Sequence, residues 1–517
     1  MSKIPRVGPV LKVAVFATGC AGIVAEFVLS TLATYLTGNA VFQWTIVMSL
    51  MLFAMGLGSR LSKIFRETLL DTFILIEFTL SLLCASSAAV AYGLAGYTSH
   101  VSLLIYCLAV LIGILIGLEI PLVTRLNESY EELSSNIATV MEKDYYGALL
   151  GGLFFAFFAL PYLGLTYTPI VLGAINFLVA SLLLWIFFHL IQRKKVVVTS
   201  FIICLLLLTS LAIFAKPILR YGEQRQFRDK VIYELQTTYQ KIVITQWKKY
   251  YWLFINGQEQ FSTFDEEKYH EPLVHPAMRL AANSGKVLIL GGGDGLALRE
   301  VWKHQEVASV TLVDLDKKMT DLAKTHPVLL GINHGSMNRK SLKIMNMDAK
   351  AFLRDSSELY GVIIIDLPDP DTIDLMHLYS LSFYRLVRQH LQKGGVLVTQ
   401  ATSPYFSRDA FLCIMKTIRE ADFSILPYHN HIPTMGEWGW VIGRKKEELP
   451  EEALKRHALD LNFNGFETRF LNKDAMVAMI HFGKGVLDGN KFIEIDINRE
   501  INPVLHRYYL SGTWGMY

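Results

Sequence analysis

The stretch Val287-Leu288-Ile289-Leu290-Gly291-Gly292-Gly293-Asp294-Gly295 decides the fold of the C-terminal half. A short apolar run bounded by a turn signal reads as a fully buried strand. The glycines that end it accept φ > 0 and let backbone approach a ligand closely. Beyond them, Leu298–His304 has helical character, so strand, glycine turn and helix follow in that order. Further buried strands are read at Ser309–Val313, Leu342–Met345, Val362–Ile365 and Val396–Gln400. Helices at Lys317–Lys324, Tyr379–Leu391 and Arg408–Arg419 separate several of them. This alternation predicts an α/β doubly wound, Rossmann-like domain with a mostly parallel sheet.

In such sheets a ligand sits at the carboxyl ends of the strands. Asp314 ends the second strand, about twenty residues beyond the glycine loop, where a carboxylate can grip both ribose hydroxyls. Asp348 follows the third strand and Asp366 ends the fourth. The loop lacks the Gly-Lys-Ser/Thr of a phosphate-binding P-loop. Alone it would be a tight βα turn. With Asp314 it points to a nucleoside site, and leaves a dinucleotide and an S-adenosyl compound both open. Upstream, Val231–Phe261 favours strands, and Asn256-Gly257 between apolar runs signals a hairpin in a small antiparallel β-unit.

Further out, the composition changes. Of 517 residues, 52% are hydrophobic and 18% charged, against about a quarter charged in ordinary soluble domains. Residues 1–216 hold only 12 Lys/Arg and 10 Asp/Glu, whereas the remaining 301 residues carry 73 charges. Seven stretches are apolar enough to cross a bilayer: Val13–Tyr35, Val41–Ser59, Thr72–Tyr92, Val101–Val123, Tyr145–Leu163, Thr168–Ile191 and Val196–Ala215. The first is long and is followed by others, which argues against a cleaved signal peptide. Lys3, Arg6 and Lys12 before the first span, Arg60, Lys63 and Arg66 after the second, and Arg193, Lys194 and Lys195 before the seventh mark cytoplasmic segments. That pattern puts the N-terminus inside and the C-terminal half outside, while Lys216, Arg220, Arg225 and Arg228 oppose the second conclusion.

Gly56-Leu57-Gly58-Ser59 and Gly151-Gly152 would allow close helix packing. Glu26, Glu77 and Glu119 lie within or near spans, where a carboxylate is costly and a functional role is the default reading. Lys143 and Asp144 read as interfacial anchors. The five cysteines follow no disulfide or metal pattern, and no metal is expected. The net charge of +3 gives no argument for nucleic acid. The expected domains are a membrane domain at 1–216, a linker with a small β-hairpin domain at 217–262, and the Rossmann-like domain at 263–517.

The C-terminal half resembles the polyamine aminopropyltransferases, of which spermidine synthase is the type. The residues that carry the resemblance are Val287–Gly295 with Leu298-Arg299-Glu300-Val301, then Tyr239-Gln240, Asn256-Gly257 through Gln260, Asp265-Glu266, Tyr269-His270-Glu271, and Asp366-Leu367-Pro368-Asp369-Pro370. The apolar half is similar to that of the multi-pass bacterial members, which implies a cell-membrane location. The resemblance implies transfer of an aminopropyl group from decarboxylated S-adenosylmethionine, a co-substrate rather than a prosthetic group, to putrescine or a similar small amine. It also implies spermidine and methylthioadenosine as products, a homodimer or homotetramer, and a bilayer as the surroundings of the first half.

Carried over by residue, the resemblance assigns Gln240, Gly291, Gly293, Asp314, Asp348 and Ala349 to the methylthioadenosine part, with Asp314 at the ribose and Asp348 at the adenine. It assigns His270 and Asp294 to the aminopropyl end, Asp369 and Tyr269 to the amine path, and Asp366 to proton acceptance. An attacking amine must lose its proton to a carboxylate within hydrogen-bond reach. Plainer readings exist as well: Asp369-Pro370 as a turn, His270 bonded to neighbouring backbone, and Asp348 as the cap of the helix starting at Ala349.

The chain departs from the soluble members in places. Leu367-Pro368 replaces small polar residues, and Asp314 stands where Glu is usual. Pro433-Thr434 is followed by Met435 rather than a tyrosine, which removes an amine-orienting hydroxyl and leaves Glu437 as its nearest substitute. Two alternatives stay open: transfer to another amine or methyl transfer from S-adenosylmethionine, and a polyamine transporter or sensor whose soluble half only binds.

Overall fold

The computed structural model describes residues 7–37, 40–95, 97, 100–128, 132–487 and 494–514. The chain divides into two compact units, Met1–Arg228 and Asp229–Tyr517. Lys3 and Arg6, and part of the segment 93–100, lie outside the described residues.

The first unit consists of helices α1 (Val7–Thr37), α2 (Ala40–Leu61), α3 (Leu69–Ala95), α4 (Val101–Asn127), α5 (Leu133–Phe154), α6 (Gly164–Ile186) and α7 (Lys194–Gln226). Among the described residues, six helical runs are long and apolar enough to cross a membrane, because the fifth and sixth predicted stretches share one run, Leu133–Ile186. A wide π-type turn, Phe155–Leu163, joins α5 to α6 and contains Pro161, which has no N–H to give the ladder. Gly164 then takes φ +61. The chain departs from a straight helix there: the Thr168 hydroxyl donates to the Ala159 carbonyl at 3.1 Å. In a straight helix that separation would be about 13 Å.

Small residues set the helix spacing. A Cβ on Gly58 would stand 2.0 Å from the Ile114 carbonyl, and one on Gly151 would stand 2.5 Å from that of Cys20. Gly56 faces open space and has no such role. Glu26, Glu77 and Glu119 are all buried. Glu77 and Glu119 lie within electrostatic reach of one another, and neither Glu77 oxygen nor Glu119 Oε1 has a hydrogen-bond partner. Asp144 does not face outward as an anchor would, since its carboxylate packs against Gly19 of α1.

The second unit opens with an antiparallel sheet of β1 (Lys230–Gln236), β2 (Lys241–Trp247), β3 (Tyr250–Ile255) and β4 (Gln258–Ser262), in that order. Asn256 and Gly257 both take positive φ, +51 and +83, as a two-residue hairpin turn of this kind demands. This sheet and the residues behind it share one apolar cluster, with Ile242, Ile244, Leu253 and Phe261 against Leu296, Met319 and Leu329.

Helix α8 (Glu267–Leu280) leads into the main sheet. Its strands β5 (Lys286–Gly291), β6 (Ser309–Val313), β7 (Leu342–Met345), β8 (Tyr360–Asp366), β9 (Leu391–Gln400), β10 (Phe423–Ile432) and β11 (Gly436–Lys445) lie in the order β10-β11-β9-β8-β5-β6-β7. The five strands from β9 to β7 are parallel, and the β10–β11 hairpin adds an antiparallel edge that the sequence reading did not contain.

Both faces of the parallel strands are covered. Ile363 and Ile365 of β8 point into one core, and Val362 and Ile364 into the other, which is why the run is apolar throughout rather than alternating. Helices α9 (Leu296–Val301), α10 (Lys317–Thr325), α11 (Pro327–Ile332), α12 (Ala349–Asp355), α13 (Leu381–Gln389) and α14 (Arg408–Glu420) flank the sheet. The helix expected at Tyr379–Leu391 is shorter at both ends. Ser380 caps α13, its hydroxyl accepting the Phe383 N–H, and Leu391 already belongs to β9. With β5 between β8 and β6, the chain reverses direction across the sheet at β5, and that switch point opens a crevice at the carboxyl ends.

Candidate active site

Four acids stand at those carboxyl ends, each delivered by a different turn. After β5 the glycine loop folds onto its neighbours. The Gly292 N–H donates to the Asp366 carbonyl at 3.0 Å, and a Cβ on Gly291 would lie 2.0 Å from that same oxygen. Only glycine allows β5 and β8 to end side by side here, and Gly291 takes φ +84 besides. Gly293 lies against the second acid: a Cβ there would stand 2.5 Å from Asp314 Oδ2. Asp314 Oδ1 accepts the Asp316 N–H at 2.9 Å. Burial foremost, with the charges of Asp316 and Asp294, pushes its carboxyl up to about 7.

Asp366 sits at the end of β8, partly buried. The Tyr269 hydroxyl of α8 donates to its Oδ1 at 2.8 Å. Burial pushes Asp366 up to about 6; Asp294 adds to the rise, while His270 and the Tyr269 hydrogen bond oppose it. His270 is buried, with Nδ1 at 3.0 Å from both the carbonyl and the carboxylate of Glu266. Burial disfavours its charged form, but Glu266, Asp294 and Asp366 together overcome this and raise its pKa. Arg299 reaches the same Glu266 oxygen at 2.8 Å. Asp294, whose Oδ1 takes the Leu296 N–H at 2.8 Å, completes the group. The structure thus brings Asp366, Tyr269, His270 and Asp294 together in one crevice.

Asp369 follows three residues later. Its Oδ2 accepts a hydrogen bond from Tyr509 at 2.9 Å, and its Oδ1 is buried without a partner. Burial pushes its carboxyl up to about 7, with the charge of Asp371 and against the Tyr509 hydrogen bond and the nearby Gln400 amide. The loop between the two aspartates is braced from below. The Tyr379 hydroxyl donates to the Pro368 carbonyl at 2.8 Å, and Gln400 donates to the Leu367 carbonyl at 2.8 Å. Leu367 itself is buried in the core. The Leu-Pro departure from the soluble loop therefore serves packing.

Three sites lie at the margins of this crevice. Asp348 caps α12, its Oδ1 accepting the Ala351 N–H at 2.8 Å, and its Oδ2 is 3.0 Å from His377 Nε2. The capping reading thus describes its first oxygen. Ala349 begins that helix and is buried. Gln240 occupies the β1–β2 turn, where its N–H donates to Thr237 Oγ1 at 3.0 Å. Thr237 in turn donates to Asp316 Oδ2 at 2.7 Å, which brings the turn to the end of β6, beside Asp314.

Glu437 does not take the place of the missing tyrosine. On β11 it is held by His429 Nδ1 and lies 3.5 Å from His431 Nδ1. Successive strand residues face opposite sides, so it is the next residue, Trp438, whose ring meets Tyr269, at 6.3 Å. The candidate residues named from the sequence do not include Tyr509, Tyr379, Gln400 or Asp371, the last fixed by Gln258 at 2.8 Å. All but Gln258 lie outside the quoted motifs. Tyr509 had only the aromatic richness of its surroundings as a signal.

A doubly wound sheet with a glycine loop, an acid at the second strand and a carboxylate pair at the fourth defines a nucleoside-binding site without a phosphate loop. Residues 266–456 match the spermine/spermidine synthase domain. Polyamine aminopropyltransferase 2 of Aquifex aeolicus (strain VF5) is 42% identical over 508 residues, 97% of this chain and 99% of that protein. The polyamine aminopropyltransferase of Oceanobacillus iheyensis is 38% identical over 96% of each chain. A crystal structure of spermidine synthase in complex with the transition-state analogue AdoDATO is 27% identical, with a TM-score of 0.44, over 50% of this chain and 88% of that one. The chain belongs to the spermine/spermidine synthase family of polyamine aminopropyltransferases.

Proposed function

We propose that the chain transfers the aminopropyl group of decarboxylated S-adenosylmethionine to putrescine, releasing spermidine and methylthioadenosine. The observation that carries this is Asp366, a carboxylate held by Tyr269 at 2.8 Å beside His270 and Asp294. The amine nitrogen attacks the methylene carbon next to the sulfonium. The C–N bond forms as the C–S bond breaks, sulfur keeps the electron pair, and the surplus proton goes to Asp366. A base contributes about 10²–10⁴-fold in such a step, and holding both reactants at near-attack distance supplies much of the rest.

Asp314, Gly291 and Gly293 suit the ribose side of the donor, with Gln240, Asp348 and Ala349 at its edges. Asp294 suits the donor's primary ammonium. Ordinary S-adenosylmethionine would bring its own carboxylate to Asp294, which opposes it. Asp369 Oδ1 faces the second nitrogen of a diamine. Putrescine, a dication, matches two acids three residues apart better than a monoamine does.

The first unit is proposed to span a cell membrane as a multi-pass domain. What supports this is the apolar surface it turns outward, including Leu52, Phe53, Phe157, Trp185 and Leu206, too much for a protein surrounded by water. To test the function, Asp366→Asn is assayed as the full chain in detergent. Turnover should fall about 10²–10⁴-fold while donor binding, measured calorimetrically, is nearly unchanged. Retained turnover removes Asp366 as the base.

A further inference from the structure

The acceptor side of the crevice is completed by a segment beyond the residues that match the family domain, 266–456. Helix Leu505–Leu510 docks with Leu505 and Tyr509 in the core that also holds Leu367, Met376 and Phe411. From there the Tyr509 hydroxyl donates to Asp369 Oδ2 at 2.9 Å. Asp369 Oδ1 stays buried and unpaired. One oxygen is thus fixed, and the other, on a carboxyl that also has the Gln400 amide within electrostatic reach, makes no hydrogen bond and is left to a ligand. An unpaired buried carboxylate oxygen is costly, and an ammonium is the group that would relieve it.

The chain then returns over this tyrosine. The Trp514 ring lies 5.2 Å from that of Tyr509, and its indole N–H donates to the Tyr509 carbonyl at 3.3 Å. The Thr513 N–H is bonded to the Phe406 carbonyl at 2.7 Å. Trp514 also meets Trp438 at 6.3 Å, and Trp438 meets Tyr269, whose hydroxyl is on Asp366. A chain of four aromatic rings therefore joins Asp369 to Asp366. Such faces suit methylenes and attract a cation.

We propose that Tyr509 is the positioning residue of the amine-acceptor site: it holds Asp369 so that Oδ1 grips the distal ammonium of a diamine, with Trp514 closing that end. This hydroxyl, from the C-terminal segment, does the work of the tyrosine absent after Pro433-Thr434. The inference rests on the reading of the acceptor as a diamine.

Tyr509→Phe keeps the ring and removes only the hydroxyl, so it tests the bond without emptying the core. In the full chain in detergent, KM for putrescine should rise about ten-fold or more, the usual worth of a hydrogen bond to a charged group, while KM for the donor holds and kcat changes far less. The pH at which KM for putrescine begins to rise should move to the alkaline side, because Asp369 loses a donor that favours its ionised form. Combined with Asp369→Asn, Tyr509→Phe should add nothing further, since both act through one contact. An unchanged KM for putrescine, an equal rise for the donor, or additivity in the double variant overturns the inference. Failure of the unaltered protein to use putrescine overturns the functional reading and this inference with it; putrescine turnover with any of the former results overturns the inference alone.

Discussion

Asp366 must be ionised to accept a proton, and its carboxyl is pushed up to about 6, by burial before any other cause. Turnover at saturating donor and saturating putrescine should therefore fall about ten-fold per pH unit below about 6, which a pH profile of kcat reads directly. A profile flat from pH 5 to pH 8 would contradict this role. Asp314 and Asp369 are both pushed up to about 7. Folding thus favours their protonated forms; the associated stability is full below the ordinary carboxylate value, about 3.9, and is lost as pH rises through about 7. A dicationic amine binds the ionised form of Asp369 and must displace a proton at low pH. The thermal shift produced by putrescine should accordingly be larger at pH 8 than at pH 5. An equal shift at both would mean that Asp369 does not meet the ligand.

At the scale of elements, the glycine loop and the ends of β5, β6 and β8 form one construction. Gly293 does not take positive φ, so Gly293→Ala adds no backbone strain and acts through its approach to Asp314, 2.5 Å from the added carbon. Donor affinity should weaken about ten-fold, the effect of displacing one charged hydrogen-bonding group, with the melting temperature little changed; titration of the donor and a thermal scan separate the two. These elements were legible because their signals are local: an apolar run, glycines at its end, and an acid at the next strand. The β10–β11 hairpin was not, because its Pro427, His429, His431 and glycines obscure strand alternation and its pairing is with β9, a long way back in sequence. Tyr509 was illegible for a related reason. No spacing rule connects residue 509 to residue 369, and only the docking of the last helix makes them neighbours. Glu437 was misread because strand parity was unknown.

At the scale of the whole molecule, the two halves differ in composition, with 22 charged residues in residues 1–216 and 73 in the remaining 301. In the helical unit Glu77 stands out, fully buried with both oxygens unpaired. Replacing such a group by an apolar one removes a desolvation cost, so Glu77→Met should raise the melting temperature of the detergent-solubilised chain and leave aminopropyl transfer unchanged. A lower melting temperature would show that the carboxyl has a partner in the working protein. The central claim concerns the other half, and product analysis tests it most directly. The full chain is incubated with isotopically labelled putrescine and either decarboxylated or ordinary S-adenosylmethionine. Labelled spermidine and methylthioadenosine in equal amounts, from the decarboxylated donor only, is the predicted result. S-adenosylhomocysteine from the ordinary donor, or no labelled spermidine from either, would contradict it.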